Sequence, residues 1–154
     1  MSSHLKVGVT RSSNVPTRWI DQGAHQAVRI LDVPNRYLAG VAEVGLKEYF
    51  SDKTNWRKML QNDHEPVMWE QAIKKSIDGV PKNLKHYLTK ENKLIELQFP
   101  VLQYPEKVKS INLEKEKSHC GVLKGIKGQY LIFEDQTVFN VRSNEGTIVE
   151  ITIS

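Results

Sequence analysis

Tyr37-Leu38-Ala39-Gly40-Val41-Ala42-Glu43-Val44-Gly45-Leu46-Lys47-Glu48-Tyr49-Phe50 places Leu38, Val41, Ala42, Gly45, Leu46 and Tyr49 at spacings of three and four. On a 3.6-residue period these residues form one broad apolar stripe, so the stretch reads as an amphipathic helix. Asn35 just upstream offers the side-chain oxygen that an N-cap requires. Further upstream, Leu5-Lys6-Val7-Gly8-Val9-Thr10 and Ala27-Val28-Arg29-Ile30-Leu31 are short β-favouring runs. Between them Pro16 opens a helix through Thr17-Arg18-Trp19-Ile20-Asp21-Gln22, and Gly23 ends it. Downstream, Asn55–Leu60, a segment opened by Pro66 with Val67, Trp69, Ile73 and Ile77 turned inward, and Asn83–Leu88 read as further short helices.

From Lys93 onward the pattern changes. Residues 94–97, 108–111, 121–123, 130–133, 137–141 and 147–151 are short strand-like runs, punctuated by Gly128, Glu134-Asp135 and Asn144-Glu145-Gly146. Gly125-Ile126-Lys127-Gly128 reads as a hairpin turn. The expected class is α+β: a small α/β core with a helical extension over residues 4–90, then a small antiparallel β-barrel or sheet over 93–153, with the boundary near Thr89–Asn92.

The chain has 154 residues, 39% of them hydrophobic, and a single cysteine. It is long enough to bury a core without staples, and Cys120 alone excludes an internal disulfide or a Cys-x-x-Cys metal clip. The thiol is expected to sit buried in a strand, and the compartment to be a reducing cytoplasm. No apolar run approaches the roughly 18 residues of a membrane span, and Met1 to Leu5 is not a signal-peptide core. The net charge of +4 is unevenly placed: residues 1–90 hold 14 Lys and Arg against 9 Asp and Glu, whereas residues 91–154 hold 8 against 9. A basic first part attracts phosphate backbones, and it equally suits a solvated surface.

No Ser-His-Asp order, phosphate-cradling glycine loop or His-x-x-x-His pair stands in a supporting context, and His25, His64, His86 and His119 share no ligand spacing. Trp19, Trp56 and Trp69 read as core aromatics, with a base-stacking platform as the alternative. The order Lys6-Val7-Gly8, Pro16-Thr17-Arg18, Ala39-Gly40-Val41-Ala42-Glu43 resembles the core of the GIY-YIG nuclease superfamily, over about a third of the chain. Over nearly its whole length the chain resembles the bacterial domain-of-unknown-function family 2797. The segments that carry this likeness are Pro16 to Ala24, Lys53-Thr54-Asn55-Trp56-Arg57-Lys58-Met59-Leu60 and Gly125 to Phe133.

The nuclease resemblance implies Glu43 as the carboxylate for one Mg²⁺ or Mn²⁺ and Arg18 as the phosphate clamp. Lys6 stands where a catalytic tyrosine would be, so that role is not carried over, and the first strand of such a core would lie upstream of Leu5. Relatives as the resemblance describes them carry a cysteine-rich segment there, so the chain is expected to be the C-terminal part of a longer protein or a shortened version. The edge at residues 5–10 would then be open to pairing with another chain. Three functions remain in view. The first is nucleic-acid binding, to DNA or RNA, through Lys6, Arg11, Arg18, Arg29 and Arg57. The second is metal-dependent phosphodiester cleavage by Arg18 and Glu43. The third is a scaffold without catalysis, in which Glu43 pairs with Lys47 and Arg18 with Asp21.

Overall fold

The structure is a computed structural model that describes residues 4–50 and 54–154. The architecture is α+β in two compact units, residues 1–98 and 99–154, each described separately below. The first unit runs α1 (Thr17–Asp21), β1 (Gln26–Val28), α2 (Arg36–Lys47), α3 (Trp56–Leu60), α4 (Trp69–Gly79), a 3-10 helix (Lys82–Tyr87) and β2 (Leu94–Glu96). The second runs β3 (Lys109–Ser110), α5 (Leu113–Glu116), β4 (Leu123–Lys127), β5 (Tyr130–Phe133) and β6 (Thr137–Asn140).

α2 forms as its periodicity requires. The Asn35 side chain accepts from the Leu38 N–H at 3.0 Å, and Ala42 and Leu46 are buried. These two pack with Val80 and Leu84, and Val7, Ile30, Leu31, Leu38, Val41, Phe50, Tyr87 and Leu88 close around the cluster. Gly23 stops the chain just past α1, and its φ of 61° and close approach to the Met59 side chain both disfavour a Cβ. α4 begins at Trp69, three residues beyond Pro66, and leaves Trp69, Ile73 and Ile77 half-buried.

Two expectations for the first unit change. Residues 5–10 are not a strand: only Lys6 takes part in a β-bridge, Val7 turns into the core, and Gly8 to Thr10 are exposed. β1 instead pairs antiparallel with β2, Ala27 opposite Ile95, which draws residues 94–96 out of the β-rich part and into the first unit. The compact units accordingly divide between Gln98 and Phe99, downstream of Thr89–Asn92.

The second unit holds a sheet of order β3-β6-β5-β4. β4, β5 and β6 are antiparallel and β3 joins β6 in parallel, so among the described residues the sheet is mixed and no barrel closes. Residues 125–127, read from sequence as turn, belong to β4, and the turn is Gly128-Gln129 alone. Gly128 has φ of 60°, the position where a two-residue hairpin favours glycine. Ile111, Ile132 and Val138 fill the core with the stem of Lys127. Cys120, expected in a buried strand, is exposed in the loop before β4. Residues 147–151, also expected to be a strand, have no regular structure. No helix among the described residues is long and apolar enough to cross a membrane.

Two glycines give opposite expectations. A Cβ on Gly125 would lie 2.8 Å from the Val101 Cα, because residues 100–102 run against β4, whereas a Cβ on Gly40 of α2 meets nothing within 4 Å. In denaturant titration Gly125→Ala should lower stability by about 1–3 kcal/mol, and Gly40→Ala should raise it by roughly 0.5–1 kcal/mol.

Candidate nucleic-acid interface

Lys6 is the most constrained of the candidate cations. Its ammonium donates to Gln22 Oε1 at 2.5 Å and to Thr54 Oγ1, both uncharged acceptors. Burial, and next the positive charge of Arg18, hold its pKa below the usual lysine value. That second cause brings Arg18, half-buried on α1, into the electrostatic neighbourhood of Lys6. Lys6 and Arg18, 12 residues apart in sequence, thus influence each other electrostatically. Gln22 and Thr54 are the partners of Lys6 that sequence reasoning missed. Their polar side chains carry no signal of their own, and their contacts with Lys6 span 16 and 48 residues.

The other candidates separate by their partners. Arg29 is held by Asp32 at 2.6 Å and donates to Ser12 Oγ at 3.2 Å, so its charge is locally balanced, and it reaches the residue next to Arg11. Arg11 is exposed ahead of the short 3-10 turn Ser12–Asn14. The Arg57 guanidinium lies 4.4 Å from the centre of the Trp56 ring, a cation–π contact at the start of α3. Trp56 is half-buried, as are Trp19 and Trp69, and the Trp69 indole donates to Gln26 Oε1 at 2.8 Å.

Glu43 sits half-buried in the middle of α2. Among the described residues it forms no ion pair with Arg18, and no three His, Cys, Asp or Glu side chains are grouped so as to hold a metal. Mg²⁺ is commonly held by one or two carboxylates with phosphate and water completing its shell. A lone Glu43 carboxylate fits only such an arrangement, in which the remaining ligands come from outside the chain. His25 and His64, which share no sequence spacing, have ring centres 4.4 Å apart through tertiary contact.

In the second unit an open groove of about 520 Å³ is lined by Ile126, Tyr130, Leu131, Val141, Arg142 and Glu145, among others, and contains none of the predicted site residues. On the opposite face of β4 the Lys127 amine is fully buried, 4.9 Å from the Tyr104 ring centre and 5.7 Å from that of Phe99. Desolvation pulls its pKa down to about 8. At the β5–β6 turn, Asp135 accepts from the Thr137 hydroxyl at 2.6 Å and the Thr137 N–H at 3.1 Å, while His119 Nε2 lies 3.2 Å from the same hydroxyl. The hydroxyl bond leads the causes that hold the Asp135 carboxyl below its ordinary range.

The molecule defined by these observations is an α+β protein of two compact units, the first basic, the second a small mixed sheet. Residues 1–149 match the family model described as "Protein of unknown function (DUF2797)", and the chain belongs to that family. No curated protein and no solved structure shows significant similarity to it.

Two pH dependences follow, of the same sign but in different pH windows and of different origin. An unfolded lysine keeps its proton to about 10.5 and folded Lys127 releases it near 8. Unfolding therefore takes up a proton between these values, and stability should rise with pH across that window. Lys127→Met should flatten the rise in urea titrations from pH 7.5 to 10.5. For Asp135 the folded pKa is depressed, so its contribution is complete above its ordinary value of 3.8 and is lost as pH falls through the folded value. Asp135→Asn should lose less stability than the parent protein between pH 5 and 3.

Proposed function

We propose that the chain is a nucleic-acid-binding module whose phosphate-contacting centre is the Lys6–Arg18 pair. The observation that carries this reading is the pair itself. Two like charges are held near each other, one of them half-buried against neutral acceptors, an arrangement that an anion stabilises and that water alone leaves costly. A phosphodiester oxygen meets both the point charge of lysine and the planar fork of arginine.

The distribution of charge supports the same reading. Divided at the compact units, residues 1–98 hold 15 Lys and Arg against 11 Asp and Glu, and residues 99–154 hold 7 against 7, so the whole excess lies in the first unit. Arg57 on Trp56 adds a cationic and aromatic surface of the kind that stacks on bases. Arg11 supplies an exposed charge, and Arg29, balanced by Asp32, serves mainly to fix the loop beside it. Cleavage would require more than binding, because Glu43 must share one phosphate and one metal ion with Arg18. The order of the GIY-YIG-like segments is what suggests this role for Glu43, and binding is complete without it. The expected setting is the cytoplasm.

Labelled single- and double-stranded DNA and RNA should bind with an affinity that falls steeply with salt. Lys6, Arg11, Arg18 and Arg57 are not ion-paired among the described residues. Four phosphate contacts of this kind would give a log–log slope near −3.6 on duplex DNA. Lys6→Gln and Arg18→Gln should each weaken binding and reduce the slope by about one. Affinity independent of salt, or unaltered by both substitutions, would sink the proposal. Nicking of the same substrates with Mg²⁺ or Mn²⁺, abolished by Glu43→Ala, would add catalysis to binding.

A further inference from the structure

We infer that Thr147–Ile153 is a dimerisation strand that pairs antiparallel with the same segment of a second copy of this chain, with Ile151 opposite Ile151. Of these seven residues, all but Glu150 are β-branched, a composition that favours extended backbone and sheet packing. Yet no helix or strand forms over 147–154, and the side chains stand in solvent: Ile148 is 99% exposed, Ile151 77% and Ile153 92%. A local preference this strong, left without a partner inside its own unit, points to a partner outside it.

Neither edge of the unit's own sheet can accept the segment. The outer side of β4 is taken by residues 100–102, through Leu102 N–H to Lys124 O at 2.7 Å and Ile126 N–H to Pro100 O at 3.0 Å. The other edge is β3, only two residues long. A second copy suits the segment because its sequence is self-complementary in one register. With Ile151 on the two-fold axis, Val149 faces Ile153, Glu150 faces Thr152 and Ile148 faces Ser154. Val149, Ile151 and Ile153 of both strands then share one face. Shifting the axis to Glu150 sets two carboxylates directly opposite, and a one-residue slip mixes the apolar face with the polar one.

A two-stranded ribbon needs cover to be stable. The same unit offers it beside the ribbon's root, since the groove containing Ile126 and Val141 is also lined by Gly146 and Thr147. Ile126 is 44% exposed and Val141 51%. Residues 99–154 balance 7 cationic against 7 anionic side chains, so two such units can approach without net repulsion.

The test uses the full chain with Cys120→Ser, since the native thiol is exposed. Single cysteines are placed at 150, 151 and 152, and intermolecular disulfide formation is followed under mild oxidation. Ile151→Cys should cross-link at least about tenfold faster than Glu150→Cys or Thr152→Cys, because only position 151 meets itself at disulfide distance. In sedimentation the unmodified chain should run as a dimer, and Ile151→Lys as a folded monomer with unchanged circular dichroism. A monomeric parent chain, equal cross-linking at all three positions, or fastest cross-linking at 150 would each overturn the inference.

Discussion

Leu46 and Ala42 lie one turn apart on α2, and the first unit depends on what covers them. Leu38, Val41 and Phe50 nearby in sequence only flank them, and the buried side chains that complete the cluster are Val80 and Leu84, more than 30 residues later. To bring these in, α4 must end beside the end of α2. The close passages record this, since Gly45 lies against Pro81 and Gly79 against the Tyr49 ring. A methyl group at Gly79 would stand 2.8 Å from two ring carbons. The returning chain then ties Leu31 to Leu88 and Thr89 to the carbonyls of Arg29 and Ile30. That tie sets residues 94–96 beside β1.

Local signals explain which elements were legible in the sequence. α2, with its stripe and Asn35 cap, and the hairpin strands β5 and β6 depend on residues close together in the chain, and they form where their patterns place them. The partner of β1 was not legible, because β2 shares with the later strands the same short apolar character and differs only in what it meets. Residues 125–127 misled for a similar reason. Two glycines three apart suggest a turn, but Gly125 serves the close approach of Val101, and only Gly128 makes the bend. The α+β class survives these changes because it rests on element type, whereas the barrel required a closure that the mixed sheet does not make.

The candidate site was legible in part. Arg18 and Lys6 were named for their residue type and order, but their mutual influence and the anchoring by Gln22 and Thr54 are tertiary facts. Arg29 shows the opposite case: its charge counted in the basic excess, yet Asp32 offsets it locally. Counting charges along a sequence treats all cations as equal. A folded surface divides them into those with a carboxylate at hand and those without.

That division separates the two units. In the first, a fixed positive charge is concentrated where the fold keeps Lys6 partly out of water, so an incoming anion recovers some of the electrostatic cost already incurred in folding. In the second, charge is balanced, the fully buried Lys127 lies 4.9 Å and 5.7 Å from two aromatic ring centres, and the exposed surface is rich in Ile and Val. An anion gains little there, while a β-strand gains both backbone bonds and apolar cover. Electrostatic attraction weakens with salt and apolar burial does not. The two proposed contacts therefore answer to different solution conditions, and each can be disrupted while the other is left in place.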